Sequence, residues 1–242
     1  MQRSHVSALF AFVASSLLVS AAAAETPAQP FDGKTLEGWT TAAGKPVPAG
    51  WEIADGVIHL KRGEKGKPGG GNIVTAHDYG DFSLSFDWKI APKGNSGIKY
   101  RVRNYGKSTL GLEYQMYDDG RKLEKGSTAS LYDLYPPNGA ALPNPPGEWN
   151  TGRIVVRGNR IEHWLNGKQV VVAYVGSSEW QKRIEASKFN KYDDFAENRV
   201  GKLMITDHGS EVWLRNVRFE TFNTSGYGRP SLRQRVRSRL GL

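Results

Sequence analysis

The chain has 242 residues, no cysteine and a formal net charge of +9. This length suits one domain with a sizeable core, and the absence of thiols excludes disulfides, thiolate metal sites and lipidated cysteines. Arg3 carries one of the nine positive charges and Arg229, Arg233, Arg235, Arg237 and Arg239 five, leaving a mildly basic body from which no nucleic-acid partner is expected.

Met1–Ala24 has Arg3 in a short basic start, an apolar run from Val6 and the small-residue exit Ala22-Ala23-Ala24. That pattern reads as a secretory signal, so a periplasmic or secreted protein with no membrane span after signal removal is expected. Residues 25–30 read as a linker, 31–223 as the folded domain and 224–242 as a solvated basic tail. Phe31-Asp32-Gly33 and Gly38-Trp39 open the body.

Asp55-Gly56, between Trp51–Ala54 and Val57–Leu60, predicts a tight hairpin, because both central residues of a primed turn take positive φ. Gly63–Gly71 is a Gly/Lys-rich loop, lacking the GK[ST] ending of a phosphate loop. Asn72–Ala76 is a short strand. Phe82–Ile90 alternates cleanly, with Phe82, Leu84, Phe86, Trp88 and Ile90 predicted inward. Two strands come next, Ile98–Arg103 and Leu112–Tyr117, with a Gly/Ser/Thr/Asn turn region between them. Alternation puts Ile98, Tyr100 and Val102 on one face and Lys99, Arg101 and Arg103 on the other. On the second strand it separates Leu112, Tyr114 and Met116 from Glu113, Gln115 and Tyr117.

Leu131–Tyr135 is short and aromatic. Pro136–Gly147 has five prolines and cannot be a central strand. Trp149–Val156, Arg160–Leu165 and Gln169–Val175 are strands turned at Gly158-Asn159 and Asn166-Gly167. Ser178–Lys188 is the helix candidate, with Ser178 as cap and Gln181 at the reciprocal position. Gly201–Asp207 and Val212–Glu220 complete about ten or eleven short strands, which predicts an all-β, two-sheet sandwich or jelly roll.

No GxSxG elbow and no HExxH spacing is present. His59, His77 and His163 read as packing or surface residues. His208 projects from a strand end on a polar face, beside Asp207. With Lys99, Arg101, Glu113 and Gln115 on one face, and Asn95-Ser96-Gly97 and Asp118-Asp119-Gly120 at its rim, this surface is the candidate site. No cofactor is predicted. Asp118-Asp119 offers oxygens to a divalent cation, but at no recognised calcium-loop spacing.

The segments FDGKTLEGW at Phe31, GNSGIKYR at Gly94, GLEYQMYDD at Gly111, GEWN at Gly147, HWLNGKQV at His163 and DHG at Asp207 together resemble the DUF1080 family, the 3-keto-disaccharide hydrolase domain. The resemblance runs from about Phe31 to Phe222 and implies a concanavalin A-like jelly roll of two curved antiparallel sheets. It also implies a carbohydrate substrate, a 3-keto-glycoside or disaccharide. By position it carries the family's polar residues onto Asn95, Arg101, Glu113, Gln115, Asp118 and His208, while Thr206 stands where the family usually has glutamine.

A ketone at C3 acidifies the C2 proton, so a base can remove it, the aglycone can leave from C1, and water can add back. Such chemistry needs a base, an oxyanion stabiliser and an acid. Glu113 or His208 fits the first role, Arg101 or Lys99 the second, and His208 or Asp118 the third. Asn95, Lys99, Gln115, Asp118 and Tyr132 form the expected substrate-binding set. A noncatalytic carbohydrate-binding module and an ordinary glycosidase with two flanking carboxylates are the alternatives.

Overall fold

A computed structural model describes residues 29–62 and 69–222. The expected leader, the basic tail and most of the Gly/Lys-rich loop lie outside the described residues. Two antiparallel sheets form the body. The first has the order β1 (Trp39–Thr41), β4 (Ile73–Thr75), β11 (Lys202–Asp207), β6 (Asn95–Tyr105) and β7 (Ser108–Tyr117). The second has the order β10 (Lys168–Tyr174), β9 (Arg160–Leu165), β8 (Asn150–Arg157), β5 (Phe82–Ile90), β12 (Val212–Thr221), β3 (Val57–Leu60) and β2 (Trp51–Ala54). This is the expected all-β jelly roll, with one helix, α1 (Ser178–Glu185), among the described residues.

The core lies between the sheets. All five alternate residues of β5 are buried there, each aliphatic or aromatic side chain contributing roughly 1.5–3 kcal/mol. Edge-to-face pairs join the sheets, Phe82 with Tyr100 at 6.1 Å and Phe86 with Tyr114 at 5.4 Å. His163 on β9 sits among them as a packing residue. Its Nε2 accepts from the Tyr100 hydroxyl at 2.9 Å and its Nδ1–H donates to Ala129 O at 3.1 Å. Burial lowers its pKa to about 4, so the ring is neutral.

The predicted hairpin at Asp55-Gly56 has φ of 50° and 75°, and Asn166-Gly167 has 46° and 78°, the left-handed geometry of a primed turn. The central hairpin differs from expectation. β6 and β7 run longer at both inner ends, and Gly106-Lys107 alone turns the chain. The helix cap also shifts by one. Ser177 caps α1, its Oγ accepting from Trp180 N at 3.1 Å, and Ser178 is the first helical residue.

β7 lies at the end of its sheet, where an open edge would be exposed. Residues 129–132 cover it. Ala129 N donates to Gln115 O at 2.8 Å and Tyr132 N to Glu113 O at 3.0 Å. The proline-rich stretch is anchored too, Asn138 N donating to Val170 O at 2.9 Å and Gly147 N to Ile90 O at 2.8 Å.

Candidate active site

The five-stranded sheet turns one face away from the core, and its composition depends on a bulge in β6. Tyr100 pairs with Leu112 but Arg103 pairs with Leu110, so β6 carries one residue more than β7 over this interval. Against β11, Lys99 pairs with Met204 and Val102 with Lys202, the same excess. Arg101 takes φ 52° there, and a one-residue slip exchanges the faces of the residues after it. Gly201 makes room for it. A Cβ at that position would lie 2.7 Å from the Arg101 carbonyl carbon and 2.8 Å from Val102 O.

The bulge corrects one expected site residue. Arg101 is 1% exposed and points between the sheets, where its Nη2 donates to Gly158 O at 2.5 Å. Asp81 braces the same turn, accepting from Gly158 N at 2.7 Å. Burial lowers the Arg101 pKa to about 10, leaving it a cation at neutral pH. Val102 takes the outward place instead, packing with Val74 and Met204. Arg101 is therefore a structural cation of the interior and does not share the face of Glu113.

The remaining face is a compact polar array. β7 contributes Glu113 and Gln115, β6 contributes Lys99, Gly97 and Asn95, and β11 contributes Thr206, with His208 just past its end. Glu113 is 6% exposed. Its Oε2 is 3.7 Å from Lys99 Nζ, and its Oε1 is 3.4 Å from Thr206 Oγ1. The carboxylate lies over Gly97, where a Cβ would meet Oε1 at 2.4 Å. Beside it, Gln115 Nε2 donates to Asn95 Oδ1 at 3.1 Å. Thr206, at the position where glutamine is usual, gives Glu113 a hydroxyl neighbour.

His208 stands at the start of the turn after β11. The Asp207 carboxylate accepts from Gly70 N at 2.9 Å, Gly71 N at 2.8 Å and Gly209 N at 2.7 Å, fixing the turn after β11. Burial raises the Glu113 pKa, while the positive charges of Lys99 and Lys188 and the Thr206 hydroxyl pull it down. Desolvation lowers the His208 pKa, with Lys99 and Lys188 acting in the same direction and Asp207 against them. Burial thus acts on both groups against their charged forms, while Lys99 and Lys188 lower both.

Lys188 gives no sign of a site role in the sequence, where it falls at the end of the helix candidate; α1 instead stops at Glu185 and Lys188 lies beyond it. Its Nζ sits 4.2 Å from the Tyr132 ring centroid, and its N donates to Asp133 Oδ2 at 2.8 Å. Tyr132, an expected substrate contact, thus holds Lys188 at the site through its ring and joins Glu113 through its backbone. Asp118 is displaced from the array. It comes directly after the last residue of β7, accepts from Lys93 N at 2.7 Å, and lines a separate cavity. Among the described residues no group of three or more His, Asp or Glu side chains is arranged to hold a metal ion. None of the helices there is long and apolar enough to cross a membrane.

The family model for a 3-keto-alpha-glucoside-1,2-lyase-like domain matches residues 26–220. The chain belongs to this family. It is 32% identical to a 3-keto-disaccharide hydrolase of Bacteroides thetaiotaomicron over 80% of its own length and 77% of that protein's. A crystal structure of a candidate glycosyl hydrolase from Parabacteroides distasonis superposes with a TM-score of 0.70 at 32% identity, covering 80% of this chain and 93% of that one. A second from the same organism gives 0.59 at 25% identity, covering 77% and 95%.

Proposed function

We propose that this protein cleaves 3-keto-glycosides by elimination and hydration at Glu113. The observation that carries this reading is a buried carboxylate of raised pKa, flanked by two lysines, in a chain of this family. Glu113 takes the C2 proton, and the electron pair moves into the C2–C3 bond to give an enolate whose charge rests on the C3 oxygen. Lys99 and Lys188 stabilise that charge, the role first expected of Arg101. The enolate then expels the aglycone from C1, and the departing oxygen takes a proton from His208. The product is a C1–C2 alkene conjugated with the ketone. Water then adds its oxygen to C1 and gives its displaced proton to His208, while Glu113 returns the proton to C2, completing net hydrolysis and restoring both groups.

Burial serves this scheme by making Glu113 a stronger base than an exposed carboxylate. Asn95 and Gln115 supply donors and acceptors for the sugar hydroxyls. Among the described residues the flanking-carboxylate alternative finds no free second acid on this face: Asp207 is committed to backbone amides, and Asp118 lies past the end of β7. The deciding experiment incubates the protein with matched glycosides with and without the 3-keto group and identifies the products. Turnover of the 3-keto form alone is expected, and cleavage of the unoxidised form overturns the reading.

A further inference from the structure

The proposed chemistry leaves unused an open cavity of about 190 Å³ where β7 ends. Tyr117, Asp118 and Arg121 form one wall, and Pro145, Pro146 and Glu148 of the proline-rich stretch form the other. The second wall is preformed. Proline rings fix its φ angles, Gly147 N is bonded to Ile90 O, and Asn144 N donates to Asn150 Oδ1 at 2.7 Å. Pyranose rings present apolar C–H faces and a rim of hydroxyls. Tyr117 and the prolines suit the faces, while Asp118, Glu148 and Arg121 suit the rim. Pockets of mixed apolar walls and few polar groups are the usual form of a small-ligand site.

The cavity is separate from the polar array but lies in line with it along β7, Tyr117 belonging to its lining. Glu113, Gln115 and Tyr117 occupy successive outward positions of β7 with no break in register. At about 3.4 Å per residue, Tyr117 stands roughly 14 Å from Glu113, with the Gln115–Asn95 pair halfway. That spacing leaves room for one sugar ring between the reacting ring and the cavity. We infer that the cavity is a distal hexose-binding subsite, so that oligosaccharides of three or more rings are better substrates than disaccharides. The inference rests on Glu113 being the reacting centre.

The test compares the 3-keto forms of maltose and maltotriose, oxidised at the non-reducing ring, on wild type, Tyr117→Ala and Glu148→Trp, the last chosen to fill the cavity from an exposed position. Wild type is expected to prefer the three-ring substrate about tenfold in kcat/KM, and both variants to lose that preference. Binding of unoxidised maltotriose, measured by NMR titration of wild type and Glu148→Trp, separates the cavity from the chemistry. Saturable binding in wild type that Glu148→Trp abolishes, in a protein inert on every 3-keto sugar, sinks the proposed reaction and keeps the subsite. Equal activity on both chain lengths, or maltotriose binding that is absent or unaffected by Glu148→Trp, overturns the subsite.

Discussion

Each sheet turns a charged face outward, and each face buries one glutamate, but the two are treated differently. On the seven-stranded sheet, Glu162 accepts from Trp164 Nε1 at 2.8 Å and Gln169 Nε2 at 2.7 Å, and it pairs with Arg160. Its neighbours are equally committed. Lys89 Nζ lies 4.5 Å from the Trp213 ring centroid and 5.1 Å from that of Trp149, and His59 stacks on Trp213 at 4.8 Å. Glu113, on the five-stranded sheet, meets a hydroxyl at 3.4 Å and an ammonium at 3.7 Å, both long for hydrogen bonds. A face that completes its own contacts contributes to stability, whereas a buried acid left short of partners keeps its capacity for a ligand.

The sharpest way to break this contrast is to neutralise both acids. Glu113→Gln is expected to lower turnover of a 3-keto-glycoside about 10³-fold, within the range for losing an acid–base group. It should also raise Tm at neutral pH, because a buried charge of raised pKa is removed. Glu162→Gln is expected to keep turnover while losing about 1–3 kcal/mol of stability through its unmet donors. Steady-state kinetics and thermal melts on both variants decide it, and similar losses of turnover would erase the distinction.

The lysines extend the comparison. Lys99→Met and Lys188→Met are each expected to lower kcat about 10²-fold with a smaller change in KM, as for a donor to a developing oxyanion. Lys89→Met, on the other face, is expected to leave kcat alone and cost about 1 kcal/mol by losing its aromatic contacts. A larger kcat loss in Lys89→Met than in Lys188→Met would reverse the assignment.

Arg101→Met separates position in sequence from position in space. Turnover per folded molecule should stay near wild type, while stability falls by about 1.5–3 kcal/mol as the charged bond to Gly158 O is lost. Kinetics scaled to the folded fraction measure it, and a hundredfold fall would return Arg101 to the chemistry.

Much of the fold is legible in the sequence because its signals are local. Asp55-Gly56 and Asn166-Gly167 declare their turns by backbone preference, and the alternation of β5 declares its buried face. Lys99, Glu113 and Gln115 fall on the expected face for the same reason, since β7 is regular from Leu112 to Tyr117 and Lys99 precedes the bulge in β6. Arg101 does not, because Lys99-Tyr100-Arg101-Val102-Arg103 alternates perfectly as text. The bulge that reverses it is accommodated by the close approach of Gly201, about a hundred positions away. Lys188 is hidden for a related reason: it reaches the array only because Asp133 and Tyr132 hold it there. The cap is ambiguous between adjacent serines, a one-residue uncertainty usual at helix ends.

The smallest expected effect is in pH dependence, where the two titrating groups of the active face act with opposite signs. Burial raises the Glu113 pKa, so the acid limb of kcat/KM should lie above the ordinary carboxylate value of about 4.3. Between the ordinary and the raised value, the folded protein holds a proton that the unfolded chain has released. The Glu113 contribution to stability therefore falls as pH rises through that interval, and Glu113→Gln should remove this fall from a plot of Tm against pH. His208 behaves oppositely. Its lowered pKa means the unfolded chain binds the extra proton first, so its contribution rises with pH up to the ordinary value of about 6.5. Lys188→Met should move both groups upward, because Lys188 lowers each, and so cannot tell them apart kinetically. His208→Asn can. If Glu113 is the base, the residual activity of that variant keeps its acid limb. Loss of the limb in His208→Asn, together with its survival in Glu113→Gln, would transfer the base to the histidine.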